Sequence, residues 1–346
     1  MIVERISRHV TTGEGDFEAL ALEAFAYQFE RLAAYGAMCE RAGRTPGTVQ
    51  SWHEVPRVPA SAFATVELAT DEPKEIFRSS GTLDERRSVH RHPFPDLYRA
   101  GIDATFAAAV LPAGGRRPIL SLVPPRDVAP DSSLGFMVDH AIGRYGAPES
   151  LCAFGARGVE GGKARSWLNA RQREGRPIAI LATSYALADL LDFLGRIDLK
   201  FRLPSGSVVM ETGGFKGRTK EVSRAELHAR LKNQLDLPGD AIVAEYGMTE
   251  LTSQAYTRTL FGGDPELFVP APWMRVTALD PVTLHELPHG ESGLLSFFDL
   301  ANVGSALHVL TEDLGSTEAG GFRLAGRAPD AALRGCSLLA EELSRR

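Results

Sequence analysis

Six short segments of this chain carry residue types that could do chemistry. Ser79-Ser80-Gly81-Thr82 joins hydroxyls to a glycine. Backbone N–H groups in such a loop cradle phosphate oxygens, and the hydroxyls add donors; the same composition also makes an ordinary turn. Arg86 and Arg87 stand near enough to add positive charge. Glu211-Thr212-Gly213-Gly214-Phe215 ends a strand-like run. Paired glycines there let the backbone approach a flat or bulky ligand, a tight strand-to-helix turn being the plainer reading. Tyr246-Gly247-Met248-Thr249-Glu250 ends another such run, where ligands of open α/β sheets collect. Glu250 could hold Mg²⁺ on a nucleotide phosphate, because that ion prefers oxygen ligands. Thr249 could bond a phosphate oxygen, and a solvated glutamate at a helix start is the alternative. In Thr311-Glu312-Asp313-Leu314-Gly315 a carboxylate sits at an expected turn, where Asp313 could accept bonds from ribose hydroxyls. Beyond it lie Gly326-Arg327 and Arg334-Gly335-Cys336. Arg334 could lower the pKa of Cys336 and make it a nucleophile; a buried, inert cysteine is the other reading.

One segment imitates a phosphate loop without meeting its requirements. Gly158, Gly161, Gly162 and Lys163 lack the leading glycine, since Arg157 stands there, and the trailing Ser or Thr, since Ala164 follows the lysine. It reads as a flexible surface loop.

These segments need a scaffold to position them. Apolar residues at three- and four-residue steps predict a helix from Phe17 to Cys39. Further helices are expected over Pro95–Val110, Ser166–Glu174, Ala186–Leu194 and Ser223–Leu235, the last with Ser223 as N-cap and Glu226 in the capping-box position. Strands are expected at Pro118–Val123, Pro177–Ala182, Ser207–Met210 and Ala241–Tyr246. Alternation of this kind predicts an α/β fold with a largely parallel sheet covered by helices. Past Pro270, short strands at Met274–Leu279, Gly293–Phe298, Ser305–Leu310 and Phe322–Leu324 predict a β-rich part.

Composition narrows the function class. The 346 residues are 44% hydrophobic and 24% charged, ordinary values for a globular protein. A net charge of -6 argues against a general nucleic-acid binder, though a local basic groove stays open. The apolar stretch from Pro177 to Leu194 is interrupted by Thr183, Ser184, Asp189 and Asp192. It falls short of the roughly 18 to 20 apolar residues of a membrane span. No signal peptide is visible. Cys39, Cys152 and Cys336 have neither zinc-ligand spacing nor an even count, so reduced thiols in a cytoplasm are expected.

Taken in order, the motifs resemble the adenylate-forming superfamily, which includes acyl-CoA synthetases, firefly luciferase and nonribosomal adenylation domains. Within it the chain is most similar to the acyl-protein synthetase (LuxE-type) family, a component of the fatty acid reductase complex of bioluminescent bacteria. Phe77–Thr82, Glu211–Arg218, Glu245–Leu251 and Arg334–Leu338 carry the resemblance, together with the N-terminal stretch ending in Tyr35 and Cys39. It implies that Ser79, Ser80, Gly81 and Thr82 hold ATP phosphates. Gly213, Gly214 and Phe215 would line the adenine and acyl pocket, Tyr246 and Gly247 would lie by adenine, and Thr249 by the α-phosphate. Glu250 would ligate Mg²⁺, and Asp313, helped by Arg327, would bind ribose. Cys336 would take the acyl group.

Two departures stand out. Thr82 is followed by Leu83-Asp84-Glu85-Arg86-Arg87 where the superfamily continues with Thr-Gly and a lysine. The chain also ends at Arg346, where typical members continue into a mobile domain with a catalytic lysine. The expected organisation is one adenylating body over 1–325, β-rich from about 270, and a hinge-like segment and tail over 326–346 that carries Cys336.

The expected reaction is ATP-dependent activation of a carboxylic acid, a fatty acid by family default, as acyl-adenylate. Transfer to a thiol would follow, with delivery to a reductase or carrier protein. Direct transfer of the acyl-adenylate to coenzyme A, a carrier protein or an amine is an alternative, as is a non-catalytic scaffold that binds nucleotide or acyl groups.

Overall fold

The computed structural model describes residues 1–80, 87–213, 222–329 and 334–344, with backbone alone for 334–338. The chain forms two compact units. The first comprises Met1–Ala104, Met248–Gln254 and Val269–Arg346, the second Thr105–Gly247 and Ala255–Phe268.

The first unit begins with three helices, α1 (Ile2–Thr12), α2 (Phe17–Arg31) and α3 (Ala33–Arg41). The single helix expected over Phe17–Cys39 is thus broken at Leu32, whose backbone is non-helical (φ -97°, ψ 87°). Asp16 caps α2 by accepting from Ala19 N at 2.8 Å. Gln28 is fully buried on α2 and satisfied: its amide donates to Asn302 O and Val303 O, and its carbonyl accepts from Leu307 N. After β1 (Val58–Pro59), a hairpin of β2 (Glu75–Arg78) and β3 (Val89–His92) pairs Phe77 with His90 and Arg78 with Val89. Helix α4 (Pro95–Val110), which matches its sequence expectation, carries the chain into the second unit.

The second unit alternates strands and helices: β4 (Ile119–Ser121), α5 (Ser133–Tyr145), β5 (Leu151–Cys152), a small hairpin of β6 (Phe154–Gly155) and β7 (Gly158–Val159), α6 (Gly161–Glu174), β8 (Ala179–Thr183), α7 (Ser184–Arg196), β9 (Val208–Thr212), α8 (Arg224–Leu235), β10 (Ile242–Tyr246) and β11 (Ala255–Thr257). The sheet order is β11-β10-β9-β8-β4-β5, parallel except for β11. Leu120, Ile180, Val209 and Ile242 stand side by side across four strands. All are buried, as a sheet covered on both faces requires. Helices α7 and α8 press Leu187, Leu190, Leu191, Leu194, Leu227, Leu231 and Leu235 onto it. Each such leucine contributes about 2 kcal/mol of apolar burial. Thr183 and Ser223 cap α7 and α8 through Ala186 N and Glu226 N, each at 3.2 Å.

The stretch from Gly158 to Lys163 is no flexible loop. Val159 ends β7 and Gly161 opens α6, where a Cβ would stand 2.5 Å from the Phe193 ring. Glycine there lets α6 pack closely on α7, and Lys163 pairs with Glu160 at 3.2 Å.

Strand β12 (Phe268–Pro270) returns the chain to the first unit. There β13 (Met274–Leu279), β14 (Ser292–Asp299), β15 (His308–Glu318) and β16 (Gly321–Arg327) form an antiparallel run, with β1 parallel to β15. Helix α9 (Arg334–Ser344) packs on α3 and β1. Asp313, expected at a turn, lies inside β15 opposite Arg327. The strand continues because a bulge between Leu314 and Gly315 absorbs the irregularity that reads as a turn in sequence. At Gly315 a Cβ would stand 2.1 Å from Arg323 O, so only glycine permits this pairing.

Candidate active site

In the first unit the Ser79–Arg87 segment connects β2 to β3 and is clasped at its base. Ser79 N donates to Ser88 O at 3.1 Å, and Ser79 Oγ accepts from Ser88 N at 3.0 Å. Arg87 donates from Nε to Ser79 O and from Nη2 to Arg78 O. Its guanidinium therefore ties together the ends of the loop. Ser80 is described, whereas Gly81, Thr82 and Arg86 lie outside the described residues.

The Met248–Gln254 segment belongs to the same unit and is held by buried polar groups. His90 Nδ1 lies 2.7 Å from Thr249 O. Asn302 Nδ2 donates to Glu250 O at 2.9 Å and to Ala306 O at 2.6 Å. Asp299 accepts from Thr252 N (3.1 Å), Ser253 N (2.9 Å), Ser253 Oγ (2.7 Å) and Ala301 N (3.0 Å). Trp273 Nε1 donates to Ser253 Oγ at 2.7 Å. Burial pushes the Asp299 carboxyl up to about 6 against the pull of these donors. Burial likewise lowers His90 to about 4, so its ring is neutral near pH 7. The four donors on Asp299 and the two acceptors of Asn302 Nδ2 tie the backbone of this segment to the rest of the unit.

Glu250 is itself buried, and no group of three or more His, Cys, Asp or Glu side chains suited to a metal occurs among the described residues. A single carboxylate fits Mg²⁺ that arrives on nucleotide phosphates with its own waters, rather than an all-protein cage.

Also in this unit, Asp313 Oδ1 lies 3.7 Å from Arg327 Nε, and Glu312 Oε2 lies 3.1 Å from Arg327 Nη2. Cys336 is the third residue of α9, and its side chain lies outside the described residues. Of the cysteines with described side chains, Cys39 is pushed up to about 12 by burial and Cys152 is also raised by burial. Neither environment favours a thiolate.

In the second unit, Gly213 follows β9 and Tyr246 ends the adjacent parallel β10, with Thr212 opposite Glu245. Both therefore sit at the carboxyl edge of the sheet. Gly213 has φ 68°, a conformation that glycine adopts freely. Ser184 Oγ reaches Gly213 O at 2.8 Å and Glu211 Oε2 at 3.2 Å. Glu211 Oε1 accepts from Arg224 Nε and His228 Nε2, both at 2.7 Å. Burial acts to raise this carboxyl, but His228 and Arg224 outweigh it and hold it below its ordinary range. Thr212 Oγ1 donates to Glu245, whose carboxyl burial pushes up to about 7. The Tyr246 ring meets Phe268 edge-on at 6.1 Å. Gly214 and Phe215 lie outside the described residues.

The sequence motifs thus fall into two sets. Ser79, Ser80, Thr249, Glu250, Asp313 and Arg327 belong to the first unit, Gly213, Tyr246 and Gly247 to the second. Sequence reasoning missed the groups that hold them: His90, His92, Asp299, Asn302, Ser184, Arg224 and His228. His90 and His92 were the available signal: residues two apart on a strand share one face, and two imidazoles on one face need partners if that face is buried.

The profile of the family described as acyl-protein synthetase, LuxE, matches residues 163–344, more than half of the chain. A long-chain-fatty-acid–luciferin-component ligase from Vibrio harveyi is 24% identical over 305 residues, covering 84% of this chain and 76% of the relative. Among solved structures, 2-hydroxyisobutyryl-CoA ligase in complex with 2-HIB-AMP and CoA superposes with a TM-score of 0.66 at 16% identity, covering 90% of this chain and 75% of that one. ATP-bound MatB from Rhodopseudomonas palustris gives 0.54 at 18% identity, covering 84% of this chain and 56% of that one. At these identities the two structures show the fold alone, that of adenylate-forming ligases. No described helix is long and apolar enough to cross a membrane. With its strand-end motifs on that fold and the family profile running from α6 into α9, the chain belongs to the acyl-protein synthetase (LuxE) family of AMP-forming ligases.

Proposed function

We propose that this protein activates a long-chain fatty acid with ATP and passes the acyl group to its own thiol, Cys336, for delivery to a partner protein such as an acyl reductase. The family match carries this reading, since it spans the Gly213 and Tyr246–Glu250 motifs and Cys336 together. The fatty acid is suggested by the name of the Vibrio harveyi relative.

In the first step a carboxylate oxygen attacks the α-phosphorus. A P–O bond forms to the acid, the bond to the β-phosphate bridging oxygen breaks, and pyrophosphate leaves. Such a step depends on positioning and charge neutralisation more than on acid–base groups. Ser79, Ser80, Gly81 and Thr82 hold phosphates, and Gly213, Gly214, Phe215, Tyr246 and Gly247 line the adenine and acyl sites. Thr249 bonds the α-phosphate, and Asp313 with Arg327 takes the ribose. Magnesium, held by Glu250, supplies charge neutralisation when bound. In the second step the Cys336 thiolate attacks the acyl carbonyl, a C–S bond forms, the C–O bond to AMP breaks, and AMP leaves. Cys336 occupies the first turn of an eleven-residue helix, where backbone N–H groups lack helical acceptors and negative charge is favoured.

Incubation with labelled acid and ATP tests this reading. Hydroxylamine-labile label is expected on the protein and should vanish in Cys336→Ser. Full turnover to a soluble thioester by that variant would remove the acyl-enzyme step.

A further inference from the structure

The β2–β3 hairpin and the Thr249–Glu250 segment are more than 150 residues apart in the chain, by the separation of 159 between His90 and Thr249, yet one side chain joins them. His90 stands opposite Phe77, one pair from the Arg78–Val89 closure of the loop that starts at Ser79. Its ring is completely buried, edge-on to Phe63 at 5.6 Å. A carbonyl only accepts, so the 2.7 Å contact to Thr249 O makes Nδ1 the protonated nitrogen and the donor. His92, two residues on, repeats the connection. Its Nε2 lies 3.0 Å from Thr252 Oγ1, whose own hydrogen goes to Asn302 Oδ1 at 2.8 Å. Among the described residues, His90 Nε2 and His92 Nδ1 have no hydrogen-bond partner. Burying these nitrogens costs desolvation that an apolar side chain of similar size would avoid, so packing alone gives no reason for imidazole.

We infer that His90 is a positioning residue for acyl-adenylate formation, its Nδ1–H bond to the Thr249 carbonyl setting the spacing between the phosphate-loop hairpin and the Thr249–Glu250 segment. The inference rests on the proposed function. In-line transfer needs the phosphates held from both sides, and a displacement of about 1 Å in such a constellation lowers rates by roughly a hundredfold. Transfer from a finished acyl-adenylate no longer needs the β- and γ-phosphates held, so it is insensitive to this spacing.

Asparagine and leucine are close in volume, and asparagine can place an N–H near the position of histidine Nδ1. His90→Asn and His90→Leu are therefore compared in the full chain. Two rates are read for each: carboxylate-dependent ATP–pyrophosphate exchange, and release of AMP from added labelled acyl-adenylate as the label appears on the protein. His90→Asn is expected to stay near wild type in both. His90→Leu should lower exchange kcat roughly ten- to a hundredfold while consuming acyl-adenylate at the wild-type rate. Equal exchange by the two variants overturns the inference, as does an equal loss of both half-reactions in His90→Leu. Should His90→Leu not fold, His90→Phe makes the same comparison with a ring retained; unfolding of that variant as well would make His90 a structural residue and overturn the inference. Absence of exchange in the wild-type protein across acids of different length instead sinks the proposed function, and this inference with it.

Discussion

Glu211 and His228 meet through a 2.7 Å contact between Oε1 and Nε2, with the carboxylate 3% exposed and Arg224 Nε at the same distance from the same oxygen. One buried anion thus links α8 to the end of β9, just before Gly213. Glu211→Gln leaves these donors poorly matched and is expected to cost about 2 kcal/mol at pH 7. The folded carboxyl lies below its usual 4.5, so its stabilisation is present above that pH and is lost as pH falls through the folded value. Urea melts at pH 7 and in mild acid should show the gap between variant and wild type narrowing in acid.

Glu245 behaves in the opposite sense. Its carboxyl is raised from 4.5 to about 7 by burial, so between these values the folded protein keeps a proton that the unfolded chain releases. Stability therefore falls as pH rises through this window, by up to about 1.4 kcal/mol per unit, and stays reduced above it. Glu245→Gln keeps an acceptor for Thr212 and removes the titration. The variant should gain stability relative to wild type at pH 8 and gain least near pH 5. Parallel denaturation midpoints at the two pH values would refute the assignment.

The bulge at Gly315 is predicted to be intolerant of any side chain. In Gly315→Ala the new Cβ would meet Arg323 O and the Leu295 side chain, forcing β15 and β16 apart. Overpacking of this kind costs about 2 to 3 kcal/mol. Because Asp313 lies two residues away on the same strand, a rise in KM for ATP should accompany the lowered denaturation midpoint.

Asp313 itself should act on nucleotide affinity alone. On the proposed reading Asp313 accepts bonds from ribose hydroxyls; losing them removes binding shared by ground and transition states, so Asp313→Ala should raise KM for ATP about tenfold with kcat little changed. Steady-state pyrophosphate release, with acid and ATP varied separately, separates this from a general loss of fold. An unchanged KM for ATP would place the ribose elsewhere.

Much of the second unit was legible in the amino-acid order. Apolar runs such as Ile178–Ala182 and Val208–Met210 must be buried, leucines at helical spacing must face them, and Ser223 must start a helix, because each satisfies a local requirement of burial or capping. The motif order from Ser79 to Cys336 likewise determined the family. The ends of the long strand β15 were not legible. Glu312, Asp313 and Gly315 favour a turn locally, and only pairing with β14 and β16 overrides that preference. The glycines at 158–162 misled for a similar reason: Gly161 is selected by the nearness of the Phe193 ring, a contact 32 residues away in the chain.

The sequence by itself singled out the residues that are proposed to touch nucleotide and acid. The tertiary structure alone decided what holds them: His90 on Thr249, Asn302 on Glu250, Asp299 on Thr252 and Ser253, and His228 on Glu211. Long-range hydrogen bonds of this kind leave no periodic signature. Each depends on two buried groups finding one another after the chain has folded, and the demand that buried polar atoms be paired becomes specific only once the neighbours are in place.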